Sequence, residues 1–138
     1  MPKLYRVILP VSDIDKAAVF YARLLGLLGE RVTSGRHYFD CEGVILACFD
    51  PRADGDDFDA KPNPGHVYFA VSDLEAAYER AKTSGCLDLD SSIESRPWGE
   101  RSFYAKDPFG NSICFVDEET MFTGTPEQMA ELRRLLGS

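Results

Sequence analysis

The chain has 138 residues, of which 44% are hydrophobic and 28% are charged, as in ordinary globular proteins. Its formal net charge of −8 argues against a nucleic-acid partner, because binding to phosphates needs a basic surface. The sequence contains neither a long apolar run that would span a membrane nor an apolar signal segment at its start. We therefore expect a cytoplasmic protein without a membrane partner, whose four cysteines are reduced.

The first half of the chain has the pattern of a strand that leads into a capped helix. Apolar residues over residues 4–9 predict the strand. Ser12 is the expected N-cap of a helix that ends at Gly26. A hairpin is predicted around the turn at residues 40–43, and a further strand is expected near residues 29–33.

The second half repeats this order sixty residues later, since Val-Ser-Asp at residues 11–13 recurs at residues 71–73. Ser72 and Glu75 predict a capping box at the start of the second helix, and Gly85 is its expected end. A hairpin around residues 107–111 and a strand near residues 87–93 complete the pattern. An internal repeat of this length indicates two copies of one supersecondary unit.

These elements predict one α+β domain, residues 1–138, built from a duplicated βαβββ module. The first unit is expected at residues 1–57 and the second at residues 61–118, with a C-terminal helix over residues 125–137 that begins at Thr125. The Asp-, Pro- and Gly-rich residues 50–64 predict a solvated linker and lack the spacing of an EF-hand calcium loop. The last helix would cover a sheet edge or join a partner subunit.

Two βαβββ units with a Val-Ser-Asp-Leu helix start and an Asp-Pro-Phe-Gly-Asn turn resemble the vicinal oxygen chelate superfamily. That group contains glyoxalase I, extradiol dioxygenases, and fosfomycin- and bleomycin-resistance proteins. The resemblance covers about residues 3–117 and is strongest over residues 65–85 and 97–115. It implies paired, curved, partly open half-barrels around a central cup, and a homodimer. In relatives that use a metal, ligands come from the first and last strands of each unit.

Carried over by this resemblance, the four metal-facing positions of the chain are Arg6, Leu46, His66 and Cys114. Arginine is permanently cationic and would repel a divalent metal, and leucine has no donor atom. His66 and Cys114 alone would make a weak two-ligand site. We therefore assign no metal ligands and expect no cofactor, with a divalent metal as the less favoured alternative.

Three ionisable positions have open alternatives. Arg6 either binds an anionic group of the ligand or pairs with an acid such as Glu42 or Glu100. His66 either hydrogen-bonds or deprotonates a ligand, which makes it the candidate catalytic base, or is paired inside the protein. Arg101 either contacts an anion or forms a salt bridge at the rim.

The remaining candidates are aromatic or small. Tyr68 should line the same cavity as His66, because alternate strand residues share a face. Trp98 either stacks on a planar ligand or caps the core, and Phe103 is expected as an apolar wall. Cys114 is either a nucleophile or a small buried strand residue. The predicted ligand-binding set is thus Arg6, Leu46, His66, Tyr68, Trp98, Arg101, Phe103 and Cys114.

Three hypotheses about function follow. The first is a protein that binds a small organic molecule in the cup without the metal centre of its relatives. The alternative is a lyase, isomerase or dioxygenase that uses His66 as a base or in an atypical metal site. In the third, the chain is a subunit or regulator whose cup is filled by side chains. The acidic net charge favours a cationic ligand, whereas Arg6 favours an anionic one, so the charge of the ligand stays open.

Overall fold

The computed structural model describes residues 1–123 and 126–137. The first module contains β1 (Arg6–Pro10), α1 (Ile14–Leu25), β2 (Glu30–Thr33), β3 (Arg36–Cys41) and β4 (Val44–Phe49). The second contains β5 (Val67–Val71), α2 (Leu74–Ser84), β6 (Glu94–Ser95), β7 (Arg101–Lys106) and β8 (Ser112–Asp117). A 3-10 turn at Glu118–Thr120 and the helix α3 (Pro126–Leu135) follow.

The two modules form two open four-stranded sheets with the same topology. The strand order is β1-β4-β3-β2 in the first sheet and β5-β8-β7-β6 in the second. In each sheet the first strand of the module pairs in parallel with the last strand, and the other pairings are antiparallel. The structure thus confirms the α+β class, the two open sheets and the additional C-terminal helix.

One hydrophobic core joins both modules. The helices α1 and α2 contact each other, and each covers one face of its own sheet. We call this side of a sheet the helix face and the opposite side the outer face. Buried side chains of both helix faces belong to the same cluster, including Leu9, Phe20, Leu24, Phe39, Leu74, Phe103 and Phe115. Burial of these apolar groups against a common centre holds the modules together.

Both main helices begin at an aspartate, not at the predicted serine. The N-caps are Asp13 and Asp73, whose carboxylates accept hydrogen bonds from the amides three residues on at 3.1 and 3.0 Å. Ser12, Ser72 and the capping box with Glu75 were therefore wrong predictions. A carboxylate also interacts more favourably with the positive helix N-terminus than a hydroxyl does. The glycines that follow both helices adopt left-handed conformations, which confirms the predicted helix ends.

The segment between the modules is more ordered than the predicted solvated linker. Asp50 and Pro51 are buried, and the Asp50 carboxylate accepts a hydrogen bond from the amide of Ile14 at 3.2 Å. Asp54 forms an ion pair with Arg36. The acidic side chains at the start of this segment thus serve as backbone and guanidinium partners.

The strand predicted near residues 87–93 is largely absent. Leu87 forms only an isolated bridge with Lys106, and the edge strand β6 lies further along the chain. The cause is Asp90, whose carboxylate accepts hydrogen bonds from the amide of Tyr104 at 2.9 Å and from Arg96 at 3.0 Å. The backbone amide of Asp90 still donates to the carbonyl of Tyr104 at 2.9 Å, but the Asp90 side chain takes the return bond that a strand would have made with its own carbonyl.

The helix α3 lies on the surface with its apolar residues exposed, among them Met129, Leu132 and Leu135. Thr125, the predicted start of this helix, lies outside the described residues. Within residues 1–123 and 126–137, no helix is both long and apolar enough to cross a lipid bilayer.

Candidate functional site

The junction between the modules is closed on one side by hydrogen bonds. The hydroxyl of Tyr21 on α1 donates to Oδ2 of Asp107 at 2.6 Å. The side-chain amide of Asn111 donates to the carbonyl of Pro10 at 2.7 Å and to Oδ2 of Asp107 at 2.9 Å. All three side chains are fully buried. We call Tyr21, Asp107 and Asn111 the closed joint, because they fasten the β7–β8 turn of the second module to the first.

The other side of the junction is open and forms a groove of about 900 Å³. It runs between the free edge of β5 and the β3–β4 turn of the first module. Most of its lining is apolar and includes Leu4, Val7, Leu25, Leu27, Val44, Leu46, Phe69, Phe115 and Met121. The polar lining includes Asp40, Glu42, His66, Tyr68, Arg80 and Glu118. We call this space the intermodule groove.

The internal repeat explains why one side is closed and the other is open. When the turns are aligned on their glycines and the helices on their starts, Asn111 corresponds to Val44 and Tyr21 corresponds to Ala81. Valine and alanine have no side-chain donors, so the turn at Asp40 cannot be fastened to the opposite module as the other turn is. The groove is therefore the pseudo-symmetric counterpart of the closed joint.

Three carboxylates and one guanidinium give the polar lining of the groove a formal charge of −2, with His66 counted as neutral. Asp40, Glu42 and Glu118 are exposed. The side chain of Arg80 donates from Nε to the carbonyl of Leu24 at 3.0 Å, which holds it across the helix contact. The groove is thus an apolar channel with a negatively charged margin.

His66 lies on the outer face of the second sheet, among tyrosines. The strand register places Tyr68, Cys114 and Tyr104 in one row across β5, β8 and β7. The centroid of the His66 imidazole lies 5.2 Å from that of the Tyr104 ring and 6.0 Å from that of the Tyr68 ring. His66 and Tyr68 therefore share a face, as strand alternation predicts, and both line the groove.

Arg6 occupies the corresponding place on the outer face of the first sheet. Its Nη1 donates to the hydroxyl of Tyr38 at 3.1 Å, and its guanidinium lies 5.5 Å from the ring centroid of Tyr5 and 5.7 Å from that of Tyr38. Arg6 is exposed and its partners are tyrosines, neither Glu42 nor Glu100. Because Arg6 is hydrated, its charge does not require an anion, and it is not among the residues that line the groove.

The prediction that Leu46 shares the face of Arg6 is wrong by one residue. Leu46 pairs with Val7 on the helix face and is 3% exposed. The outer-face position, paired with Ile8, belongs to Ala47. Leu46 nevertheless borders the groove from the helix side.

The corrected outer-face positions do not fit the metal centre that the resemblance implies. They hold Arg6, Ala47, His66 and Cys114, of which only two have donor atoms suited to a metal. Cys114 is fully buried, and burial raises the pKa of its thiol to about 11, so it is not a thiolate at neutral pH. Among residues 1–123 and 126–137, no three His, Cys, Asp or Glu side chains are grouped to hold a metal ion.

Phe103 was predicted to form a wall of the cup, but it belongs to the core. It is 1% exposed, and its ring stacks on that of Phe115 with centroids 5.2 Å apart. It also forms a T-shaped contact with the ring of Tyr78, with centroids 5.0 Å apart. Alternation along β7 places Phe103 on the helix face, opposite to Tyr104. The prediction failed because the hydrophobic character of a strand residue does not reveal which face it occupies.

Arg101 and Trp98 also lie away from the groove lining. Arg101 forms ion pairs with Glu75 of α2 and with Asp117. Of its two predicted roles, an anion contact or a salt bridge, the structure thus has the salt bridge. Trp98 is 62% exposed in the turn between β6 and β7, where its Nε1 donates to Glu100 at 2.7 Å. It neither borders the groove nor caps the core.

The sequence reasoning missed the acidic margin of the groove. Asp40 was read only as a turn residue, Glu42 was considered only as a turn residue and a partner for Arg6, and Glu118 was not considered. One signal was available, since aligning the two hairpin turns shows that Val44 replaces Asn111. That replacement indicates that only one of the two turns can bond across the junction.

The fold consists of paired βαβββ modules with a groove between them, and sequence comparison assigns its family. The profile described as Glyoxalase/Bleomycin resistance protein/Dioxygenase superfamily matches residues 3–115. The chain therefore belongs to this superfamily, which confirms the resemblance noted from the repeat.

Individual relatives are distant. The chain is 29% identical to the uncharacterised protein YwbC of Bacillus subtilis, over 76% of this chain and 89% of that protein. It is 25% identical to a bleomycin resistance protein of Geobacillus stearothermophilus, over 80% of this chain and 92% of that protein. A glyoxalase-related enzyme from Fulvimarina pelagi has the same fold, with a TM-score of 0.72 at 17% identity, over 91% of this chain and 94% of that one.

Proposed function

We propose that this protein binds a small organic molecule in the intermodule groove, without a divalent-metal centre. The observation that carries the proposal is the groove itself, whose volume of about 900 Å³ falls in the range of small-molecule sites. Its mostly apolar lining with a few polar groups is also typical of such sites. Arg6 and Ala47 offer a divalent metal no suitable donor atom, and Cys114 is a buried thiol. These residues therefore support binding without a metal.

His66 and Tyr68 are the groups suited to orient the ligand. Both are exposed and line the groove. An imidazole and a phenol each donate and accept hydrogen bonds, so they fix the polar end of a ligand whose apolar part packs against exposed apolar lining such as Leu4, Leu27 and Ala70.

The proposal includes a homodimer. The chain exposes 8716 Å², whereas a compact monomer of this mass exposes about 7,200 Å². The excess of about 1,500 Å² exceeds the roughly 800 Å² that each partner buries in a standard interface. Exposed apolar residues of α3, such as Leu132 and Leu135, contribute to this surface. Light scattering on the purified full chain tests the proposal, and a monomer at all concentrations would contradict it.

Metal analysis tests the absence of a metal centre. The full chain, purified without a histidine tag, is expected to contain no stoichiometric metal and to take up none tightly from Zn²⁺, Mn²⁺ or Ni²⁺ in calorimetric titrations. His66→Ala should leave these results unchanged. Stoichiometric metal that is lost in His66→Ala would overturn the proposal and favour a metal-dependent lyase, isomerase or dioxygenase.

A neutral aromatic probe tests the groove as a binding site. We expect 2-naphthylmethanol to bind the wild-type chain, as measured by calorimetry and by a rise in melting temperature. Ala70→Trp places an indole on the exposed groove lining and should abolish binding. Ala53→Trp, an equally large change at an exposed site outside the groove lining, is the control and should bind the probe normally. Equal binding by both variants would exclude the groove.

A further inference from the structure

We infer that the intermodule groove selects an organic cation, a molecule with an apolar or aromatic body and one positive charge. This inference rests on the proposed function, because it assigns the charge of the ligand that the groove would hold.

The acidic margin of the groove is only partly neutralised by the protein. None of the ion pairs formed by the described residues involves Asp40, Glu42 or Glu118. The groove lining includes the cation Arg80, held by a backbone carbonyl, and the side chain of Lys3 reaches towards Gly43. Three carboxylates against these two cations still leave a formal charge of −1. A cationic group on the ligand therefore gains Coulomb energy that an anionic group loses.

The Asp40 carboxylate keeps acceptor capacity that the closed joint uses within the protein. Asp107 of the closed joint is buried and accepts bonds from the Tyr21 hydroxyl and the Asn111 amide, in addition to amides of its own turn. Asp40 lies one register position earlier on its strand, because it pairs with Ile45 as Lys106 pairs with Ser112, and it is exposed. Its Oδ1 accepts a bond from the amide of Gly43 at 2.8 Å, and the exposed carboxylate remains available to a ligand.

The aromatic lining also suits a cation. Tyr68 is 54% exposed on the groove, and the face of a phenol ring attracts ammonium groups. The one feature that had favoured an anion, Arg6, lies outside the groove lining and is bound to Tyr38. The net charge of −8 adds long-range attraction for cations.

The test compares three probes with the same naphthalene body. They are the cation (2-naphthylmethyl)trimethylammonium, the neutral 2-naphthylmethanol and the anion 2-naphthylacetate, each titrated calorimetrically into the full chain at low salt. We expect the cation to bind about 10-fold more tightly than the neutral probe, and the anion to bind most weakly. Because screening by salt weakens charge interactions, this preference should shrink at high salt.

Matched charge variants locate the source of the preference. The double variant Glu42→Gln/Glu118→Gln removes two carboxylates from the groove margin. It should weaken binding of the cation about 5-fold and leave the neutral probe unchanged. The control Glu30→Gln/Glu119→Gln removes two exposed carboxylates outside the groove lining, and it keeps the wild-type preference.

Each outcome is decisive. If all three probes bind with equal affinity, or if the two double variants behave alike, the cation inference is overturned. The proposed function then stands, provided that Ala70→Trp still abolishes binding. If no probe binds wild type, both are overturned. If, in addition, Ala70→Trp converts a dimer to monomers, the occupant of the groove is a second copy of the chain.

Discussion

The two sides of the module junction differ far more than the modules that form them. Both sides contain a β-hairpin turn with an aspartate three residues before its glycine, and each turn approaches the opposite module. On one side Tyr21 and Asn111 close the joint with buried hydrogen bonds. On the other side Ala81 and Val44 stand in their places, and a groove remains. Within one duplicated framework, two replaced side-chain donors and a shorter β3–β4 turn therefore distinguish a candidate binding site from a structural contact.

The outer faces of the two sheets show a milder divergence. Arg6 and His66 occupy equivalent places, and each contacts a tyrosine on the third strand of its sheet order, Tyr38 in one and Tyr104 in the other. The tyrosine position is the same, while the group beside it is a permanent cation in one module and an imidazole in the other. The comparison shows that the modules share their packing and differ in the chemistry of their surface.

The largest expected effect comes from making the closed joint resemble the open side. Asn111→Val removes the hydrogen bonds to Pro10 and Asp107 and leaves the amide of Asn63 without its acceptor. We expect the free energy of unfolding to fall by about 4 kcal/mol, because several buried polar groups lose partners at once. Urea denaturation followed by circular dichroism measures this change. A loss below about 1 kcal/mol would show that the joint does not hold the modules together.

A smaller loss is expected when only the hydroxyl of the joint is removed. Tyr21→Phe deletes the 2.6 Å hydrogen bond to the buried Asp107 carboxylate and should cost about 2 kcal/mol in unfolding free energy. The matched control is Tyr78→Phe, whose hydroxyl donates at 2.6 Å to the neutral carbonyl of Asp90, and it should cost about 1 kcal/mol. Equal losses in the two variants would contradict a special role for the charged acceptor.

The closed joint also predicts a loss of stability at alkaline pH. Burial, reinforced by the charge of Asp107, raises the pKa of the nearby Cys48 thiol from 9.0 to about 12. Above pH 9 the unfolded chain releases this proton while the folded chain keeps it. Stability therefore falls as pH rises from 9 to about 12, by up to roughly 1.4 kcal/mol per pH unit from this one thiol.

Urea denaturation at several pH values between about 8 and 10.5 tests this linkage. Cys48→Ala should reduce the slope of stability against pH by close to one proton. Cys41→Ala is the control and should reduce it less, because the Cys41 thiol is only half-buried and its pKa is raised less. An unchanged slope in Cys48→Ala would refute the assignment.

The smallest effect is expected for the reciprocal of the first substitution. Val44→Asn introduces an amide into the open side, where the half-buried side chain faces the groove. The unfolding free energy should change by less than about 1 kcal/mol, since the new amide remains hydrated. A clear gain in stability, together with loss of probe binding, would mean that this amide can close the groove as Asn111 closes the joint.

Much of the fold was predictable from local patterns in the sequence. The alternation around Val67 and Phe69, the glycines that end the helices and the repeat of sixty residues each depend on neighbours along the chain. These features predicted two like modules, open sheets, and a shared face for His66 and Tyr68. The N-caps were wrong by one residue because serine and aspartate stand side by side at both helix starts and both can cap.

The candidate site was less predictable because it depends on register and on contacts between distant segments. A shift of one residue moves a strand side chain to the opposite face, which is why Leu46 and Phe103 were placed incorrectly. The bond between Tyr21 and Asp107 joins residues 86 positions apart, and no local pattern reveals it. Periodicity and turn chemistry in the sequence thus determined the two modules. Only their packing decided which side of the junction closed and which acidic groups came to surround the open groove.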